Sequence, residues 1–194
     1  MKIIDISRVA QEAPVYPGSH PIEICPLLDM QQGAAYNSSR ITAESHMGTH
    51  ADAFCHFLAD GKSIDQMDLE HYCGKCRVIT VPEKTLIGLE DIRGRLDGCE
   101  RLVLHTGGES FLCEAAAEYL AACGVKTVVT DALSVAPSDN ELAIHQLLFR
   151  AGVAVVENVV LDGVEDGEYL LFAFPVKYGG GDGAPVRAVL ICKE

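Results

Sequence analysis

No stretch of the sequence approaches the run of about 18 or more apolar residues that a membrane span requires. Positive charge is also scarce. Lysine and arginine number 15 against 28 aspartates and glutamates, a formal net charge of −13. A surface of that sign repels phosphate backbones and anionic headgroups, which argues against nucleic acid and membrane as partners. The opening Met1-Lys2-Ile3-Ile4-Asp5-Ile6 lacks the long apolar core of a secretory signal, so a cytoplasmic location is expected. Internal repeats and low-complexity linkers are missing as well.

A second Cys-x-x-Cys pair is absent, so Cys73-Gly74-Lys75-Cys76 has nothing with which to close a zinc ribbon. A redox dithiol works at a helix N-terminus that follows a strand. Here a strand signal, Arg77-Val78-Ile79-Thr80-Val81, comes after the cysteines. With eight cysteines scattered along the chain and no export signal, reduced structural thiols are expected. The loop Gly179-Gly180-Gly181-Asp182-Gly183 lacks the Lys-Ser/Thr and following helix of a phosphate loop and reads as a flexible turn.

What is present suffices for one core. A chain of 194 residues, 48% hydrophobic and 22% charged, suits a single domain over residues 1–194. The pattern is mixed α/β. Residues 3–6 and 101–105 read as strands, and residues 111–123 as a helix stopped by Gly124 and followed by a strand over 126–130. Ser138 with Glu141 three residues on forms a capping-box signal for a helix to about Arg150. Gly152 ends it, and a strand runs from Val153 towards Leu161. Strands over 169–174 and 186–192 close the chain.

The chemistry concentrates between Ser45 and His56, where His46, His50 and His56 fall within eleven residues with Asp52 between them. Imidazole nitrogen and carboxylate oxygen are ligands that zinc and its neighbours prefer, and three protein ligands leave a position open for water. Gly48 disfavours a helix interior, so this segment is expected as a loop at the end of a strand. Glu157 interrupts the apolar run Val153-Ala154-Val155-Val156, and a carboxylate in a buried strand needs a hydrogen bond, a counter-charge or a metal. His145, three residues after Leu142 and four before Phe149, is expected on the apolar face of its helix. Competing explanations stay open: a solvated loop for the cluster, a hydrogen-bonded core histidine for His145, a salt bridge for Glu157. A structural or sensory metal site without catalysis is the competing role for the whole set.

These residues resemble the H-x-G-T-H-x-D-x-P-x-H signature of the cyclase family of metal-dependent hydrolases, which includes bacterial kynurenine formamidases and isatin hydrolases. Asp5-Ile6-Ser7 and Val15-Tyr16-Pro17-Gly18 resemble the family's opening. His145-Gln146-Leu147-Leu148 with Glu157-Asn158 resembles its second metal half, and Gly183-Ala184-Pro185-Val186-Arg187 its closing motif, all in the family's order. The resemblance implies a single-domain swivelling β/β/α fold, a mixed sheet with flanking helices, assembled as homodimers or larger homo-oligomers. It implies two divalent metal ions, zinc ahead of manganese. His46, His50 and Asp52 would bind one, and Asp52 would bridge to a second held by His145 and Glu157. His56 would be the catalytic proton donor and acceptor, and Tyr16 part of the aromatic wall that binds substrate. The implied substrate is a small-molecule amide, with N-formylkynurenine hydrolysed to kynurenine and formate as by an arylformamidase; a cyclic amide or lactone is the alternative. Three positions depart from the pattern. Phe54 stands where the signature has proline, Tyr16-Pro17-Gly18-Ser19 where formamidases read Trp-Pro-Gly-Asp, and His105-Thr106 where they read Arg-Thr.

Overall fold

The computed structural model of the protein describes residues 1–81 and 85–192. Its strands are β1 (Lys2–Asp5), β2 (Glu23–Leu28), β3 (Ser38–Thr42), β4 (His50–Asp52), β5 (Cys73–Thr80), β6 (Leu86–Ile87) and β7 (Arg101–His105). They continue as β8 (Phe111–Leu112), β9 (Thr127–Thr130), β10 (Ala154–Glu157), β11 (Gly167–Phe172), β12 (Gly183–Pro185) and β13 (Val189–Cys192). The helices are α1 (Leu89–Ile92), α2 (Glu114–Ala122) and α3 (Glu141–Arg150).

Among the described residues, nine strands form one mixed sheet in the order β1-β13-β11-β5-β7-β9-β10-β4-β12. The central β5, β7, β9 and β10 are parallel, and the outer strands join them antiparallel. Parallel neighbours need a crossover, commonly a helix; α1 lies between β5 and β7, α2 between β7 and β9, and α3 between β9 and β10. Because side chains alternate across a strand, the sheet divides the core in two. Val78, Val103, Val129 and Val156 pack on one face, whereas Leu102, Leu104, Val128 and Val155 meet Leu120, Ile144 and Leu148 of the helices on the other. The mixed α/β class expected from the sequence is the one observed. No helix among the described residues is long and apolar enough to cross a membrane.

Several boundaries differ from the sequence pattern, each for a local reason. The first strand covers residues 2–5, and β5 begins at Cys73 rather than Arg77. Cys73 and Cys76 therefore sit in the strand and are free thiols; three residues apart, their side chains point to opposite faces. Gly74 between them has φ +131°, and a Cβ there would lie 2.7 Å from Nη1 of Arg101. That guanidinium is buried against the Glu70, His71 and Lys75 carbonyls, so glycine is what allows it to pass. Phe111 and Leu112 are strand rather than helix, because their amides reach the Thr85 and Val135 carbonyls. Gly124 stops α2 as expected, at φ +72°.

The capping box expected at Ser138 is not formed. Asn140 is the N-cap residue, without a side-chain bond, because the Glu141 carboxylate instead accepts from the Tyr16 and Ser134 hydroxyls. The helix ends at Arg150 as expected, but Leu142 is 59% exposed; the buried face is Ile144, His145, Leu148 and Phe149. β10 ends at Glu157 rather than near Leu161, because Asn158 turns left-handed at φ +61° and sends its amide to Ala132. The last expected strands shift to β11 and β13. The glycine-rich loop is a pinned turn rather than a flexible one. Its Gly180 amide donates to Asp65, its Gly181 carbonyl accepts from the Ile64 amide, and its Asp182 carbonyl accepts from Ala53.

Candidate metal centre

Strand register assembles the centre. Ala51 faces the core away from the helices, so His50 and Asp52, one residue to either side on β4, face α3. In the neighbouring β10, Ala154 and Val156 take the first face, which turns Glu157 to the second. The antiparallel pairing sets Glu157 opposite His50, and β12 sets Gly183 opposite Asp52. His145 descends onto the same point from α3. The expected loop accounts for His46 alone, since His50 and Asp52 lie on the strand that follows it.

Four of these groups are almost fully buried: His50 at 2%, Asp52 at 1%, His145 at 1% and Glu157 at 5% exposure. His50 Nε2 lies 3.4 Å from Asp52 Oδ1 and 3.5 Å from Glu157 Oε2. His145 Nε2 lies 3.6 Å from Asp52 Oδ2 and 3.4 Å from Glu157 Oε1. These separations are long for strong hydrogen bonds. Two donor atoms each about 2.0–2.1 Å from one tetrahedral ion stand about 3.3–3.4 Å apart, so the spacing suits a shared cation. The outer ring nitrogens are already committed: Nδ1 of His50 bonds the Gly48 carbonyl at 2.9 Å, and Nδ1 of His145 bonds the Glu141 carbonyl at 2.8 Å. Such bonds fix the tautomer and aim Nε2 inward.

His46 and His56 form the outer part, their rings stacked with centroids 3.8 Å apart. His46 Nδ1 bonds Asp52 Oδ1 at 2.9 Å, while its Nε2 is buried without a hydrogen-bond partner. Two groups among the described residues have ligand atoms close enough for one ion, His46 with Asp52 and His56, and His50 with Asp52 and Glu157. Asp52 belongs to both. The donor chemistry, the burial and the spacing fit divalent cations.

Charge shapes the protonation of the set. Burial works against a charged His46, but hydrogen bonding and charge from Asp52, with Asp182 and Glu157 beyond, hold the imidazole up at about 9. Burial likewise opposes charge on His145, and Glu157 with Asp52 holds it up at about 9. Burial would raise the Asp52 carboxyl, yet His46 and His50 keep it well below the ordinary range. His56 goes the other way, because burial pushes its imidazole down.

Above the centre lies a cavity of about 240 Å³ walled by Tyr16, Ser19, Glu44, Phe57, Leu133 and Glu141. Tyr16 is one of these wall residues. Its hydroxyl donates to Glu141 at 2.7 Å, and that bond pushes its pKa up to about 12. Phe57 stacks on His145 at 4.4 Å between centroids. Phe54 instead packs against His71 and Phe149. Sequence reasoning missed Glu44, Phe57, Glu141 and Asp182. Glu44 and Phe57 flank the histidine cluster and Asp182 precedes the closing motif, but single acidic or aromatic residues carry no periodic signal.

A family profile described as putative cyclase matches residues 4–137. The chain belongs to the cyclase family. Cyclase-family relatives named kynurenine formamidase include that of Bacillus cytotoxicus, 38% identical with 96% of each chain covered. That of Bacillus anthracis is 36% identical, with 97% of each chain covered. A solved structure described as a potential metal-dependent hydrolase with cyclase activity superposes with a TM-score of 0.84 at 28% identity, covering 100% of this chain and 98% of the other. An isatin hydrolase bound to the product analogue thioisatinate shares the cyclase fold, with a TM-score of 0.85 at 19% identity over 99% of this chain and 93% of the other.

Proposed function

We propose that the protein hydrolyses the formyl amide of N-formylkynurenine, giving kynurenine and formate. It is a metal-dependent hydrolase acting on a carbon–nitrogen bond. The observation that carries this reading is the convergence of His46, His50, His145 and Glu157 on the buried Asp52 beneath a small-molecule cavity. Near-full-length similarity to kynurenine formamidases supports the choice of amide. Two divalent ions, zinc in preference to manganese, would be held by His46, His50 and Asp52 and by Asp52, His145 and Glu157. When bound, such ions lower the pKa of water towards about 7 and polarise the amide carbonyl.

The protein's own groups supply position and proton transfer. Water adds to the formyl carbon, the carbon–nitrogen bond breaks, and the departing arylamine nitrogen takes up a proton. His56 stands at the cavity wall, and burial lowers the pKa of its imidazole, which favours the neutral form. It accepts the proton from water and returns it to the amine. Tyr16 and Phe57 present aromatic surface to the aryl ring.

The protein is a single domain that works as a homodimer or larger homo-oligomer in the cytoplasm. Support for self-association comes from the β2–β3 hairpin, which among the described residues pairs with no strand of the main sheet. Its Ile24, Leu27, Leu28, Met30, Tyr36 and Ile41 are 40–63% exposed. A cyclic amide or lactone is the second reading, favoured by Tyr16 and Ser19 on the cavity wall in place of the tryptophan and aspartate of formamidases. The test is kcat/KM for N-formylkynurenine and isatin, with zinc and manganese content measured by elemental analysis. Preference for N-formylkynurenine with about two ions per chain is expected. Preference for isatin would replace the first reading with the second, and a protein that takes up no divalent ion would sink both.

A further inference from the structure

Three histidines face Asp52 or Glu157 through one ring nitrogen, and the other nitrogen of each needs an acceptor. His50 and His145 use backbone carbonyls, of Gly48 and Glu141. For His46 no such carbonyl bond forms among the described residues. Its Nδ1 meets Asp52, and its Nε2, on the far side of the ring, is buried and unpartnered. Asp182 Oδ2 lies 3.4 Å from it, an ion-pair separation rather than a closed hydrogen bond. An ion on Nδ1 places the ring proton on Nε2, where a buried N–H requires an acceptor.

Asp182 is built for that position. The Ser45 hydroxyl donates to its Oδ1 at 2.8 Å, leaving Oδ2 turned to His46. Its carbonyl is tied to Ala53, and the preceding Gly181 carbonyl to Ile64. Gly183 follows, where a Cβ would lie 2.7 Å from Cε1 of His46; the ring therefore rests directly on this backbone. The same Oδ2 lies 3.9 Å from Nδ1 of the stacked His56.

We propose that Asp182 is a positioning residue for the metal centre, its carboxylate holding Nε2 of His46 so that Nδ1 faces the ion shared with Asp52. The assignment rests on the two-ion reading given above. A carboxylate is a stronger acceptor than the carbonyls behind His50 and His145, so closing this bond would make His46 the most electron-rich of the three. Partners of this kind set ion affinity by about 10–100-fold.

The test measures Zn²⁺ and Co²⁺ affinity by chelator competition in the wild type and in Asp182→Ala, Asp182→Asn and Ser45→Ala proteins. It adds the visible spectrum of the cobalt forms and the Tm of the ion-free forms. One of the two ions is expected to bind about 10–100-fold more weakly in Asp182→Ala, with an altered cobalt spectrum. Asp182→Asn, which retains an acceptor oxygen, should lose less, and Ser45→Ala least. Wild-type affinity and spectrum in Asp182→Ala would overturn the proposal. Equal weakening of both ions with a matching fall in ion-free Tm would also overturn it, because Asp182 would then merely hold its loop together. A wild type that binds neither metal would sink the two-ion reading, and this proposal with it.

Discussion

Asp52 is 1% exposed and lies within 3.6 Å of ring nitrogens from His46, His50 and His145. The neighbouring carboxylate of Glu157 meets His50 and His145, whereas Asp52 also bonds His46. Removing a group that only orients a ligand costs about 10–100-fold, so Asp52→Ala should lower kcat/KM by more than about 100-fold. Elemental analysis should find both ions depleted. A metal-replete, fully active variant would refute the shared role. Thiol chemistry offers a check independent of activity. Cys76 is fully buried, and burial pushes its thiol up to about 12, whereas Cys123 is exposed. Thiolates, not thiols, are alkylated. Iodoacetamide at pH 8 should therefore label Cys123 and leave Cys76 untouched until the protein is unfolded, as read by peptide mass spectrometry.

At the scale of elements, the end of β5 is tied by Asp166, which accepts from the Thr80 amide and hydroxyl at 2.6 Å and from Arg95 at 2.9 Å. Burial would raise this carboxyl, but the Thr80 and Arg95 contacts hold it below the ordinary range. A carboxylate with a depressed folded-state pKa adds stability that is present above its unfolded value, about 3.9, and is lost as pH falls through the folded value. With a partly exposed side chain the effect is small, about 1 kcal/mol or less. Asp166→Asn should lower denaturant-derived stability at pH 7 and converge with the wild type at pH 2. An unchanged difference at both values would show that charge is not the cause.

At the scale of the whole molecule, the β2–β3 hairpin forms a separate two-stranded sheet among the described residues and exposes a cluster of apolar side chains. A lone two-stranded hairpin is marginal in water, and clustered exposed apolar residues mark association surfaces. Leu27→Asp with Ile41→Asp should shift the protein towards a monomer in light scattering without lowering its ion content. A wild type that is already monomeric would remove the hairpin's assigned role. The arm leaves the body between Ser19 and Glu44, both on the cavity wall. Self-association is therefore also expected to bear on KM, and the same variant tests that.

The candidate ligand types, their order and the mixed α/β class were legible in the sequence because they are local. A tight run of His46, His50 and Asp52 needs no partner to be seen, and period-two or helical patterning survives without tertiary context. Glu157 betrayed itself as a charge inside an apolar strand, and Gly124 and Gly152 as helix stops. What the sequence did not hold is geometry that depends on pairing across the fold. The register between β4 and β10 decides that His50 meets Glu157, and the short β12 decides that Asp182 and Gly183 reach His46. Glu141 shows the same limit: its spacing from Ser138 fits a local cap, but the tertiary fold offers it the Tyr16 and Ser134 hydroxyls instead. Local chemistry names the candidate ligands, whereas long-range hydrogen bonding between strands far apart in sequence decides which of them converge.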